Sequence, residues 1–120
     1  KKNKIRVSIF INPSIKTLEN LEVIQTDRVE LYTYDYAHNF IDNKDTAIKS
    51  YIDVSTYLKK EFPEIKLNAG HDLNLVNLKF FLENINNVEE VSIGHALICD
   101  TFEYGLEKTI KKYLSLTKIK

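Results

Sequence analysis

The sequence predicts an α/β protein made of four consecutive strand–helix units. Short runs rich in β-branched and aromatic residues alternate four times with stretches whose apolar residues recur at helical spacing. No linker or low-complexity segment interrupts them. The length of 120 residues suffices for one domain with a hydrophobic core and is short for two ordinary ones. Repeated units of this kind form a parallel sheet with right-handed crossovers.

The first strand is expected over residues 5–11, "IRVSIFI", a continuous buried-strand pattern. Asn12-Pro13 then combines a helix cap with proline at the first helical position, and Ile15, Leu18, Leu21 and Ile24 repeat at helical spacing. The second strand is "RVELYT", residues 28–33, and residues 34–43, "YDYAHNFIDN", are expected to be the longest irregular stretch. A long helix follows with Ile48, Tyr51, Val54, Ser55 and Leu58 on one face, ending before Pro63. The third strand is expected over residues 65–68, leading into Ala69-Gly70-His71. Asn74 or Asp72 can cap the next helix, whose inner face is Leu75, Leu78, Phe81, Leu82 and Ile85. The fourth strand is expected over residues 90–93, leading into Gly94-His95. Asp100 to Glu103 has the spacing of a capping box, and Leu106, Ile110, Tyr113 and Leu114 supply a final helix face.

Two architectures fit four such units: an open doubly wound sheet, or half of an eight-unit (β/α)₈ TIM barrel. A whole barrel takes roughly 250 residues. The chain has about half that length and contains no methionine, so half a barrel is the expectation, with residues 1–120 as one piece of it.

Composition narrows the function classes. Seventeen Lys and Arg balance 17 Asp and Glu, which gives no electrostatic reason to expect nucleic acid or an anionic membrane as partner. The lysines near the C-terminus suit a solvated helix end. A single cysteine, Cys99, excludes an internal disulfide and suits a reducing compartment. No apolar run approaches the roughly 20 residues that span a bilayer, and no secretory signal is visible, so the cytoplasm is the expected location. Asp35, Asp42 and Asp45 lack ligand-like spacing, Cys99 reads as a small buried hydrophobe, and the seven tyrosines are not expected to form a stacking platform.

In α/β folds of either kind, ligands bind at the C-terminal ends of the strands. Two of the three glycines and two of the three histidines sit there, as Gly70-His71 and Gly94-His95. Glycine permits close backbone approach to an oxyanion, and Gly94 is the better phosphate candidate. A histidine at a strand end either moves protons or orders its loop by hydrogen bonding. His71 is balanced between these readings, whereas His95 and His38 favour the second. In "RVELYT", Val29 and Leu31 point one way while Arg28, Glu30 and Tyr32 point the other. Glu30 would then face the barrel interior, where a carboxylate is costly unless it is paired or faces ligand. Pairing with Arg28 or Arg6 is the structural alternative.

Four blocks, "RVSIFINPS", "DRVELYT" with the following "YA", "LNAGHDLN" and "VSIGHALI" with "FEYGLEKTI", resemble in this order the second half of the pyridoxine 5′-phosphate synthase family. The resemblance implies the C-terminal half of a cytoplasmic TIM barrel. The enzyme condenses 1-deoxy-D-xylulose 5-phosphate with 3-amino-2-oxopropyl phosphate, giving pyridoxine 5′-phosphate, phosphate and water without a metal or organic cofactor. It also implies a homo-oligomer in the full-length chain and no nucleic-acid or membrane partner. By resemblance, His71 is the proton donor, Glu30 stabilises charge on imine-like intermediates, and Gly94 and His95 bind phosphate largely through backbone. Asp72 holds a position that contacts ligand in the family. The usual family pattern has glycine where this chain has Asp72, and His-Thr-Gly where it has Tyr32-Thr33-Tyr34. Another phosphate-binding barrel, such as an isomerase or an aldolase, and a non-catalytic four-unit phosphate-binding module are the competing readings.

Overall fold

The computed structural model describes residues 3–85 and 87–118. Its order is β1 (Ser8–Ile11), a short 3-10 helix (Ile15–Leu18), β2 (Arg28–Tyr32), α1 (Tyr34–Glu61), β3 (Lys66–Gly70), α2 (Leu78–Asn84), β4 (Val88–Ser92), α3 (His95–Tyr104) and α4 (Leu106–Leu116). All strand pairs are parallel, and the strands lie side by side in chain order β1-β2-β3-β4. A doubly wound sheet reverses its order at a switch point. Sequential order without reversal, with one sheet face packed on helices, is the arrangement of half a TIM barrel.

The two faces of the sheet differ as the alternation in β2 predicts. Val29, Leu31, Leu67 and Ala69 are fully or nearly fully buried and join the helix residues Ile48, Tyr51, Val54, Leu58, Leu78 and Phe81 in one core. Register places Phe10 beside Glu30, Glu30 beside Asn68, and Asn68 beside Glu90, so these four side chains form one layer across the opposite face. One level nearer the strand ends lie Tyr32, Gly70 and Ser92.

The polar layer ties the strands together. Glu90 accepts from both Arg6 guanidinium nitrogens, at 3.0 and 3.2 Å, and from Asn68 Nδ2 at 3.2 Å, and it pairs with Arg28 at 3.3 Å. Arg28 also donates to Asn68 Oδ1 at 2.8 Å. The Arg6 hydrogen bond, chiefly, holds the Glu90 carboxyl below the usual carboxylate range. A group whose pKa is lowered on folding stabilises the fold above its unfolded value, about 4.3 for glutamate, and loses that contribution as pH falls through the folded value. Glu90→Gln in the full-length protein is therefore expected to lower the melting temperature near neutral pH. The gap to wild type should close below about pH 4. A gap that persists or widens in acid would contradict the assignment.

Several elements depart from the sequence expectation. β1 is confined to its last four residues, Ser8–Ile11, while β3 and β4 are displaced to Lys66–Gly70 and Val88–Ser92. The helix expected after Pro13 is a single 3-10 turn followed by further turns, with Leu18 and Leu21 buried but Ile15 and Ile24 exposed. The chain is recaptured early: the Thr26 hydroxyl donates to the Arg28 carbonyl at 2.8 Å and lies 3.1 Å from the Val7 carbonyl, and the Asp27 and Arg28 N–H groups both donate to Val7 O. The stretch expected to be irregular, 34–43, is helical, with one break at Asn43 (φ −158°, ψ 94°). Asn43 Oδ1 accepts the Thr46 N–H there at 2.9 Å, starting the helix anew.

At the C-terminal end, Asp100 to Glu103 is not a helix start, because α3 already runs from His95 to Tyr104. The break comes at Gly105, whose φ of 79° suits a residue without Cβ. Of the expected final face, Tyr113 is buried and donates to Asp100 Oδ2 at 2.6 Å, while Leu106, Ile110 and Leu114 are exposed. Among the described residues, no helix is long and apolar enough to cross a membrane.

Candidate active site

The parallel register brings the two Gly-His bends to one pole. Gly70 is the last residue of β3 and lies opposite Ser92, the last residue of β4, so His71 and Gly94-His95 leave neighbouring strands at the same end. His71 and Asp72 both adopt left-handed backbone, with φ of 95° and 56°. For side-chain-bearing residues this is strained, and it persists only when the surroundings hold it. They do so here. The Thr33 hydroxyl donates to the His71 carbonyl, Asn77 Nδ2 donates to the Asp72 carbonyl at 3.2 Å, and the Thr33 N–H donates to Gly70 O at 2.9 Å. A glycine suits position 72 for its free backbone, and aspartate is among the residues that tolerate the same conformation.

At Gly70 an added side chain would meet its neighbours. A Cβ there would overlap Glu30 Oε1 and come within 3.0 Å of Ser92 Cβ. The Glu30 side chain therefore leans one level up the inner face, into the space left by the missing side chain at 70, beside the residue that precedes His71. Neither arginine offered as its structural partner takes that role, since Arg6 and Arg28 both bind Glu90. Among the described residues Glu30 has no ion pair and accepts no hydrogen bond. Glu90, which the sequence placed only as a strand residue, takes both arginines instead.

An aromatic wall surrounds the imidazole, against the expectation that the tyrosines form no stacking platform. Tyr32 and Tyr34 stack at 5.9 Å with 12° between planes, and Tyr34 stacks on His38 at 5.7 Å and 11°. His71 sits edge-on to Tyr32 at 4.7 Å and to Tyr34 at 5.9 Å, and Phe10 meets Tyr32 at 5.2 Å. The sequence hid the wall because Tyr34 and His38 become i and i+4 neighbours only once residues 34–43 are helical. His38 is thereby a ring in this stack.

Tyr32 is itself anchored from behind. Its carbonyl accepts the Tyr51 hydroxyl at 2.9 Å, Tyr51 packs on Phe81 and Tyr36, and the Tyr36 hydroxyl donates to Asn77 O at 2.6 Å. Burial pushes the Tyr51 phenol up to about 12 and raises Tyr36 as well, so both remain hydroxyl donors at neutral pH.

Gly94 precedes α3, whose first-turn N–H groups have no acceptor within the helix. A Cβ on Gly94 would meet nothing within 4 Å, so the space before this backbone is open. His95 is exposed. Among the described residues no three His, Cys, Asp or Glu side chains are grouped to hold a metal ion, and Cys99 is exposed rather than buried.

Residues 1–119 match the family described as "Pyridoxal phosphate biosynthesis protein PdxJ". The chain belongs to the PdxJ family. It is 50% identical over 114 residues to a pyridoxine 5′-phosphate synthase of Cytophaga hutchinsonii, an alignment that covers 95% of this chain and 47% of the relative. A synthase of Christiangramia forsetii is 43% identical over 118 residues, covering 98% of this chain and 49% of that one. One from Parabacteroides distasonis is 46% identical over 109 residues, covering 91% and 45%. The chain thus spans about half the length of the curated relatives it matches, as half a barrel of the PdxJ family should.

Proposed function

We propose that the full-length protein carrying this segment is a pyridoxine 5′-phosphate synthase, a transferase that condenses 1-deoxy-D-xylulose 5-phosphate with 3-amino-2-oxopropyl phosphate. The observation that carries the reading is the Glu30 carboxylate, without an ion pair among the described residues and seated over Gly70 at the pole where His71 emerges. A module that only bound phosphate would gain nothing from a free carboxylate there, since like charges repel. A reaction that passes through cationic imine-like intermediates does gain, because a preorganised carboxylate in a water-poor cavity stabilises the charge as it develops.

In this reading His71 donates protons during the imine, phosphate-loss and ring-closing steps. The backbone at Gly94 and His95, at the start of α3, holds a substrate phosphate. Asp72 contributes its backbone to the same cavity. The catalytic set works without metal or organic cofactor, and the enzyme is a cytoplasmic homo-oligomer with neither a nucleic-acid nor a membrane partner. Closing the barrel pairs the two free edges of the four-stranded sheet, β1 and β4, with the strands of the other half.

The test is formation of pyridoxine 5′-phosphate from the two substrates by the full-length protein. Wild type should turn over. Glu30→Gln, which removes the charge and keeps the shape, should lower kcat by about 10²- to 10³-fold. The 120-residue segment alone should show no synthase turnover. A Glu30→Gln enzyme with wild-type kcat would remove the carboxylate from the mechanism.

A further inference from the structure

The last helix has two apolar faces, and the described residues cover only one of them. On α4, Thr109 and Tyr113 are buried and Leu116 is half-buried, and Tyr113 donates to Asp100 Oδ2 of α3 at 2.6 Å. Ile110 and Leu114 each come one position after a buried residue, so with Leu106 they form a stripe turned roughly 100° from the covered face. Leu106, Ile110 and Leu114 are 57%, 40% and 53% exposed. A third face is charged: Lys111 pairs with Glu107, and Lys108 and Lys112 lie over the Tyr104 ring at 5.8 and 4.3 Å. Water thus has its own side of the helix, and the stripe is not on it.

We infer that Leu106, Ile110 and Leu114 form the seam of the closed barrel, covered in the full-length protein by the strand–helix unit of its other half that adjoins β4. The inference rests on the barrel closure proposed above and is independent of the chemistry. Three observations choose this occupant over a second copy. The alignments take in 47% and 49% of two relatives, so in those proteins about as much chain again accompanies the matching segment. β4 is the last strand of the sheet, and a right-handed crossover carries the helix after a strand toward the next strand position, so α4 lies toward the place the closing strand takes. The sheet is also curved for closure. Arg6, just before β1, meets Glu90 of β4 at 3.0 Å, whereas a flat sheet would hold those two strands roughly 14 Å apart.

Thiol labelling of the full-length protein tests the seam. Ile110→Cys and Leu114→Cys, each as the sole cysteine, are mild changes, and an unchanged circular dichroism spectrum will verify the fold. Each thiol should react with a maleimide on the order of 10²-fold more slowly in the native protein than in urea. A photo-cross-linking p-benzoylphenylalanine in place of Leu114 should join to the other half within the mass of one chain. Native labelling as fast as in urea would overturn the inference, and so would cross-links only at twice the chain mass, which give the stripe to a second copy. Synthase turnover of the same variants separates this inference from the functional reading. An active enzyme with an open stripe sinks the seam alone, and a protected stripe in a protein whose wild type is inactive upholds the seam and sinks the synthase.

Discussion

Gly70→Ala is expected to abolish most turnover of the full-length protein while leaving its fold in place. The new methyl group would occupy the position of Glu30 Oε1, and the nearest other obstacle is Ser92 Cβ at 3.0 Å. Glu30 is flexible and can swing aside, so the structural cost is modest, about 1 kcal/mol for slight overcrowding. In the proposed mechanism the chemical cost is larger, because the carboxylate leaves the strand-end pole beside His71. A loss of about 10²-fold in kcat is expected, matching the removal of one preorganised charge. The comparison that decides it is a double-mutant cycle with Glu30→Gln. If both substitutions act through the same carboxylate, the pair together should cost little more than either alone. Additive losses would mean that Gly70 serves something other than the placement of Glu30.

Phe81→Ala should cause the largest loss of stability, about 3–5 kcal/mol. Phe81 is fully buried, and its ring meets Tyr36 at 5.0 Å and Tyr51 at 5.7 Å. The three rings join α2 to both parts of α1, and two of them pass the contact on through hydroxyls, to Asn77 O and Tyr32 O. Chemical denaturation of the full-length protein checks the magnitude. A loss below about 1 kcal/mol would mean that the site relaxes to fill the cavity, contrary to the close packing of buried rings.

Both expectations depend on relations that the sequence carried to different degrees. The faces of the long helix were legible, since Ile48, Tyr51, Val54, Ser55 and Leu58 are buried as their spacing implies. So was the inner position of Glu30, because a strand has a period of two and Val29 and Leu31 take the core side. The first part of α1 was not legible. Its short polar run has no strong apolar period, and it is helical because Tyr36 is buried against Tyr51 and Phe81. The final helix erred in the other direction: Leu106, Ile110 and Leu114 repeat at helical spacing yet are exposed, since spacing sets a face but not what covers it.

The same division holds at the site. Sequence alone determined the α/β class, the repeated strand–helix order and the two Gly-His bends, because these follow from local propensity, periodicity and turn chemistry. Quoted motifs also carried the family. Only the tertiary structure decided which arginine meets which carboxylate, what a side chain at position 70 would displace, and that His71 and Asp72 take left-handed backbone. Those are contacts between segments separated by 20 or more residues, or set by a left-handed bend, and no local pattern encodes them.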